Sequence, residues 1–185
     1  MYFQLKRDKF TDIGIVEPED IPLHLSFLRE AFINTPIATM TFTTNASAQD
    51  ALPDFAGGSI PVMSKRFLSL LVQAGVDNLQ VFPILIKSEI DGHVWDNFFA
   101  VNIIGLIQCA DLAASDYGEI FHGLYDFDVL AIDIEKTNNA LFFRLQESPS
   151  MIIMHKSIGK YLMENDPEPS LTGWDVEEII QQTVP

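Results

Sequence analysis

The chain has 185 residues, with 26 acidic and 11 basic side chains and a formal net charge of −15 at pH 7. Because nucleic-acid binding is driven by releasing counterions from phosphates, a sequence pI near 4.4 argues against a large nucleic-acid footprint. An apolar content of 48% is too high for intrinsic disorder over most of the chain. We therefore expect one compact domain with its own core.

The cysteine content and the apolar runs predict a cytoplasmic setting. The single cysteine, Cys109, excludes an intrachain disulfide and a cysteine-rich zinc site, so a reducing compartment is expected. At the N-terminus an apolar stretch precedes the basic residues, which reverses the order found in a signal peptide. The most apolar run, residues 98–114, contains Asn102, Gln108 and Asp111 and is shorter than the roughly 20 residues that cross a bilayer. We expect a soluble protein that binds no membrane.

The first third of the chain is weakly patterned. Residues 2–6 are predicted to form a strand, and residues 18–20 favour a helical turn that leads toward Leu23. Residues 37–44 alternate β-branched side chains with others and predict a strand. The next segment, 45–59, is rich in Asn, Ser, Asp, Pro and Gly and predicts a loop.

A helix and a hairpin follow this loop. Ser64 is a favourable N-cap for a helix that ends at Gly75. The apolar face of this helix consists of Phe67, Leu70, Leu71 and Ala74. Two apolar stretches, 79–87 and 94–107, predict the strands of a hairpin, with a turn at Asp91-Gly92 and a break near Gly105.

The last third predicts further strands and two helices. Residues 127–135 alternate, with Leu130, Ile132 and Ile134 on one side, which is typical of a half-buried strand. Residues 137–139 predict a turn, and residues 141–145 and 151–154 predict strands. One helix is predicted to begin at about Ser157, and a short acidic helix is predicted over 175–182. These elements predict the α+β class, with a mainly antiparallel mixed sheet and a few packed helices.

The acidic residues are unevenly distributed along the chain. No Lys or Arg lies between Lys87 and Lys136 or after Lys160, and these two stretches contain ten and six of the 26 acidic residues. An acidic face attracts a basic partner and speeds association, although solubility alone also accounts for such charge. We predict a partner-binding surface in the first stretch, formed by Asp91, Asp96, Asp116, Glu119, Asp126 and Asp128.

Motifs of metal or acid–base chemistry are present but have simpler explanations. Asp126-Phe127-Asp128 has the Asp-x-Asp spacing of a divalent-metal site, yet two solvent-facing carboxylates leading into a strand account for it. Asp133 and Glu135 share one side of the predicted strand, which is expected to be an exposed sheet face. The turn that contains Asp91, His93 and Asp96 offers too few ligands for a tight metal site.

Motifs of nucleophilic and phosphate chemistry are equally weak. His24, His122 and His155 each stand alone among apolar residues, and Cys109 lies in an apolar run that predicts a small buried thiol. The segment 57–59, Gly-Gly-Ser, lacks the lysine and the spacing of a phosphate-binding loop. The sequence thus predicts no catalytic residue, no metal and no cofactor.

Several segments resemble, in order and spacing, those of a known family. They are Pro61-Val62-Met63-Ser64-Lys65-Arg66, Leu79-Gln80-Val81-Phe82-Pro83, Phe98-Phe99-Ala100-Val101-Asn102, Cys109-Ala110-Asp111-Leu112 with Ser115, Leu141-Phe142-Phe143-Arg144-Leu145, Met151 to Met154 and Leu171-Thr172-Gly173-Trp174. From about Ile60 onward the chain resembles an immunity-protein family of bacterial polymorphic toxin systems, the eleventh, myxobacterial-type class.

The resemblance implies a cytoplasmic, non-enzymatic antitoxin that binds and neutralises a cognate toxin delivered by a contact-dependent or type VI secretion system. It also implies an immunity-type core over 60–185, with a variable N-terminal region, 1–59, packed on it in one compact domain. The charge pattern predicts that the toxin presents a basic surface, as a nuclease or a nucleotide-using transferase does. Its activity and the oligomeric state of this chain stay open.

Two other functions are compatible with the residues. One is a metal-dependent enzyme that acts on a phosphorylated or sugar-nucleotide substrate through Asp126 and Asp128. The other is a structural adaptor module in a larger assembly.

Overall fold

The computed structural model describes residues 1–19, 21, 27–28, 31–34 and 38–182. Asp20 of the predicted helical turn, Leu23 toward which it leads, the isolated His24 and the predicted strand start at Ile37 lie outside the described residues. Among the helices of the described part, none combines the length and the apolar character that a membrane crossing requires.

Strands dominate the described part of the chain. They are β1 (Tyr2–Arg7), β2 (Ile15–Val16), β3 (Met40–Thr44), β4 (Phe55–Ala56), β5 (Val62–Ser64), β6 (Leu79–Ser88), β7 (Val94–Ile103), β8 (Leu106–Ile107), β9 (Asp116–Phe121), β10 (Leu124–Val129), β11 (Ala131–Asp133), β12 (Phe142–Leu145), β13 (Ser148–His155), β14 (Trp174–Glu178) and β15 (Ile180–Gln182). The helices are α1 (Lys65–Gln73) and α2 (Lys156–Glu164), with a 3₁₀ turn at Glu135–Thr137. The predicted loop over 45–59 thus contains one short strand, β4.

Two larger sheets carry most of the strands. One has the order β14-β1-β13-β12-β8 and the other the order β2-β3-β6-β7-β5-β4, while β9 pairs with β10 and β11 with β15. The pairs β3–β6, β8–β12 and β11–β15 are parallel, and the other strand pairs are antiparallel. Mixed sheets with two packed helices confirm the predicted α+β class.

Helix α1 forms where its local signals predict. The Ser64 side chain accepts a hydrogen bond from the Phe67 N–H at 3.2 Å, and Gly75 follows the helix with a φ of +99°. Phe67 and Leu71 are fully buried in one apolar cluster with Leu162 of α2. The two helices therefore share a core with the sheets they cover.

A buried carboxylate connects the start of α1 to a distant segment. The Asp54 side chain accepts hydrogen bonds from Ser64 Oγ at 2.6 Å, from Arg66 Nε at 2.6 Å and from the Thr172 N–H at 3.0 Å. The hydrogen bond to Asp54 raises the pKa of the Arg66 guanidinium. One side chain thus fixes the end of the loop, the helix N-terminus and the segment that leads into β14.

The prediction of an acidic helix over 175–182 is wrong. This segment forms β14 and β15, separated at Ile179. β14 pairs antiparallel with β1, and Glu177 forms an ion pair with Lys6 across that pairing. Pairing with a strand at the other end of the chain overrides the local helical pattern.

The prediction of one half-buried strand over 127–135 is also wrong. β10 ends at Val129, and the separate strand β11 is buried at all three residues, with Ile132 in an apolar cluster. Asp133, expected on an exposed face, is buried and lies 3.3 Å from the Lys136 ammonium. Glu135 belongs to the following 3₁₀ turn, so the two carboxylates do not share a strand face.

Truncating the buried face of α1 tests this packing. Leu71→Ala should lower the free energy of unfolding by about 2 to 5 kcal/mol, because it removes a fully buried side chain and leaves a cavity. Val72→Ala is the matched control, since Val72 is 60% exposed and should change stability by less than about 0.5 kcal/mol. Chemical denaturation measures both, and equal effects would contradict the assigned helix face.

Substitutions at two glycines with similar φ angles distinguish the effect of steric crowding from that of backbone strain. A Cβ on Gly173 (φ +82°) would overlap Pro53 and lie 2.5 Å from the Phe55 carbonyl oxygen, whereas Gly92 (φ +75°) has open space around it. Gly173→Ala should cost about 3 kcal/mol or more, and Gly92→Ala only the left-handed penalty of about 1 to 2 kcal/mol. Thermal unfolding of both variants checks this, and similar losses would argue against the close approach at Gly173.

Candidate functional site

β9 and β10 form a two-stranded hairpin, residues 116–129, which we call the acidic hairpin. Phe121 pairs with Leu124 across a two-residue turn in which Gly123 has a φ of +80°, a conformation that favours glycine. Further along, Glu119 is opposite Tyr125. Every residue of β9 is exposed, so the hairpin lies at the margin of the molecule.

Aromatic side chains hold the hairpin together on one face. Tyr117, Tyr125 and Phe127 have ring centroids 4.9 to 6.1 Å apart. Phe127 also packs against the buried cluster that contains Cys109 and Phe143. Cross-strand aromatic contacts of this kind stabilise a two-stranded sheet that is marginal by itself.

The hairpin is anchored to the body along β10. The Tyr125 N–H donates to the Glu147 carbonyl oxygen at 2.8 Å, at the turn between β12 and β13. β10 therefore faces the body of the protein, and β9 is the outer strand.

Four of the six predicted partner-binding residues lie on the acidic hairpin. They are Asp116 and Glu119 on β9 and Asp126 and Asp128 on β10, and all four are exposed. No Lys or Arg lies in this part of the sequence, so the hairpin is uniformly negative. The structure therefore brings together four carboxylates that the sequence linked only through their shared base-free stretch.

The other two predicted residues lie on a different hairpin, formed by β6 and β7. Asp91 is in its turn and accepts hydrogen bonds from the Ala48 N–H at 2.8 Å and the His93 N–H at 3.0 Å. These bonds, first the one from Ala48, lower the pKa of Asp91 and tie the turn to the loop beside it. Asp96 is exposed on β7.

Exposed apolar side chains near the hairpin turn are a feature that the charge pattern did not reveal. Ile120 and Phe121 are each 72% exposed, and Leu124 is also exposed. The sequence carried a weak signal for them, because Ile120 and Phe121 precede a His-Gly pair, but their exposure depends on the position of β9 at the margin of the molecule. Large exposed apolar groups beside charged ones are typical of interaction surfaces.

The Asp-x-Asp motif does not form a regular pair of alternate positions. The β9–β10 register shifts between Phe127 and Val129, so Asp128 sits in a bulge, while Asp126 pairs with Gly118. In the described part of the chain, no three His, Cys, Asp or Glu side chains cluster closely enough to hold a metal ion.

His155, His93 and His122 lie in three different elements of the structure. His155 caps α2, with its Nδ1 accepting from the Ser157 N–H at 3.3 Å. His93 lies edge-on to Trp95, with ring centroids 4.6 Å apart, and His122 is exposed in the turn of the acidic hairpin.

Cys109 is the buried thiol that the sequence predicts. Its side chain is fully buried, and burial, with further contributions from Glu147 and Asp133, raises its pKa to about 12. A thiol in this state has almost no thiolate at neutral pH and is a poor nucleophile.

A buried glutamate beside Cys109 was not anticipated. Glu147 is 5% exposed, and its Oε1 accepts from the Ala110 N–H at 3.0 Å. Its Oε2 has no hydrogen-bond partner among the described residues. Burial raises the pKa of Glu147, since the charged form is poorly solvated there.

A cleft of about 660 Å³ opens beside α1, on another part of the surface. Its lining includes Trp95, Phe98 and the Asp54–Arg66 ion pair. Because Asp54 already binds the Arg66 guanidinium, this ion pair offers no uncompensated charge to a ligand in the cleft.

A family model described as "Immunity protein family (Imm11)" matches residues 18–181. The match begins within the N-terminal region 1–59 and runs through β15. No curated protein matches the chain.

Removing the charge of Glu147 should change how stability depends on pH. Because the folded pKa is raised, the unfolded chain loses this proton first, and the wild-type protein loses stability as the pH rises from the unfolded value toward the folded one. Glu147→Gln should lack that loss and be the more stable protein at pH 8. Denaturation midpoints between pH 4 and 8 test this, with exposed Glu135→Gln as the control. A glutamine variant that is less stable at pH 8 would contradict the raised pKa.

Proposed function

The chain belongs to the Imm11 immunity protein family, and from this membership we propose that it neutralises a cognate bacterial toxin by binding it through the acidic hairpin. The binding masks a basic active-site cleft or substrate-binding surface of the toxin, and this chain contributes no catalytic step. The proposed setting is the cytoplasm of a bacterium that carries a polymorphic toxin or type VI secretion system.

The observation that carries the proposal is the set of four exposed carboxylates on one hairpin, in a stretch of sequence without a basic residue. Such a field steers a cationic partner and raises association rates at low salt. Ile120 and Phe121 add exposed apolar area next to the charges, which a purely solubilising surface does not need.

The proposal gives different weights to the six predicted residues. The four on the acidic hairpin are proposed as direct contacts. Asp96 is exposed on the second hairpin and extends the negative surface, whereas Asp91 is engaged by backbone N–H groups and is proposed to act mainly by holding its turn.

The toxin is identified by a killing assay. Reading frames that flank the gene are expressed in a bacterial host, with and without this chain. A product that is lethal alone and harmless with this chain is the cognate toxin, and its complex with the purified chain gives the affinity. The absence of any such product would contradict the proposal.

Charge reversal then tests the surface. A triple variant, Asp116→Lys, Asp126→Lys and Asp128→Lys, should slow association with the toxin by about tenfold or more at low salt and should weaken protection. Association rates are measured over a range of salt concentrations, because screening should reduce the difference between variant and wild type.

The matched control reverses three exposed acids elsewhere, Asp77→Lys, Glu164→Lys and Glu168→Lys. It changes the net charge by the same amount at a different location, and the exposed Lys160–Glu164 ion pair that it removes contributes little to stability. If both triple variants behave alike, net charge and not the acidic hairpin governs binding.

A further inference from the structure

The outer edge of β9 is open. β9 pairs with β10 on one side, and within the described residues no strand pairs with it on the other. The six residues of the strand are all exposed. An unpaired edge offers a row of backbone N–H and C=O groups to an incoming strand.

The register shows which backbone groups face outward. The Tyr125 N–H points away from β9, since it donates to the Glu147 carbonyl oxygen. In an antiparallel pair, two opposite residues either both point their N–H and C=O groups inward or both point them outward. Glu119, opposite Tyr125, therefore directs its groups toward the open edge, and so does Tyr117, opposite Phe127.

The edge lacks two of the usual protections against pairing. Native edges are commonly blocked by lysine, proline or a bulge, but β9 contains neither Lys nor Pro. The pairing with β10 shifts register at Ile120 and again at Asp128, which lies opposite the step from Asp116 to Tyr117. Between these two shifts, residues 117–119 form a regular stretch. Next to this stretch are the exposed side chains of Ile120 and Phe121.

Charge selects the occupant of this edge. A second copy of the chain would place Asp116 and Glu119 against the same acids, and like charges across a strand pair are destabilising. Asp116 and Glu119 point to opposite faces of β9, so an added strand with lysine or arginine at alternate positions would form an opposite-charge pair with one of them, contributing about 0.2 to 1 kcal/mol.

We propose that the open edge of β9 binds a basic β-strand of the toxin by strand addition. This rests on the proposed function, since it names the part of the toxin that the acidic hairpin receives. Backbone hydrogen bonds to Tyr117 and Glu119 supply the alignment, the carboxylates select basic side chains, and Phe121 and Ile120 contact an apolar residue of the added strand.

The first test uses a defined probe and the intact wild-type chain. The probe is a synthetic peptide of about eight residues that alternates lysine and valine, and its control is the same peptide with every internal amide N-methylated. The control keeps the charge and the side chains but lacks the N–H donors. Calorimetry should give an affinity for the control that is weaker by about tenfold or more, and amide NMR shifts should concentrate in residues 116–121.

The second test removes one donor of the protein. Glu119→Pro deletes the outward N–H without breaking a ladder hydrogen bond, and Glu119→Ala removes the same carboxylate but keeps the N–H. The proline variant should bind the unmodified peptide about tenfold more weakly than the alanine variant, with the same melting temperature. If the proline variant unfolds, the comparison of the two peptides on the wild-type chain decides.

Three results would overturn strand addition. They are equal binding of the two peptides, no binding of either at about millimolar concentration, and a wild-type chain that dimerises through β9 in sedimentation. These results can be told apart from failure of the proposed function, which is measured with the whole toxin. If charge reversal on the acidic hairpin still abolishes protection, the proposed binding surface is correct and only strand addition is wrong.

Discussion

The buried carboxylate of Asp54 is the interaction on which the arrangement of the two larger sheets depends. A carboxylate that is almost fully removed from water is tolerated only when charge and hydrogen bonds compensate it. Here Ser64, Arg66 and the Thr172 N–H must all be in place at once. Since Asp54 precedes β4 and Thr172 precedes β14, this requirement joins the edge of one sheet to the edge of the other.

The parts of the fold that the sequence predicted are those with local physical causes. Ser64 and Gly75 mark the ends of α1 through capping, and Asp91-Gly92 marks the turn between β6 and β7. The acidic strand β14 was mistaken for a helix because its identity depends on β1, where Glu177 meets Lys6. No pattern within residues 174–178 contains that information.

The candidate site, too, could be predicted from the sequence only in part. Base-free charge was visible in the sequence and led to four carboxylates that share one hairpin, while the place of Asp91 in a hydrogen-bonded turn was not visible. The bulge at Asp128 and the outward direction of Glu119 follow from strand register, which is set by contacts with the body. Burial of Glu147 was missed because a glutamate is normally exposed and its local sequence gives no sign otherwise.

The position of β1 between β13 and β14 constrains when the fold can be completed during synthesis. Residues 2–5 pair with residues 152–155, and β1 acquires its second neighbour only at 174–178. On a ribosome that adds about 5 to 20 residues per second, the first strand waits roughly 9 to 35 seconds for the partners that complete its sheet. A chain that is still being translated has therefore not closed this sheet, and only finished molecules present the complete fold.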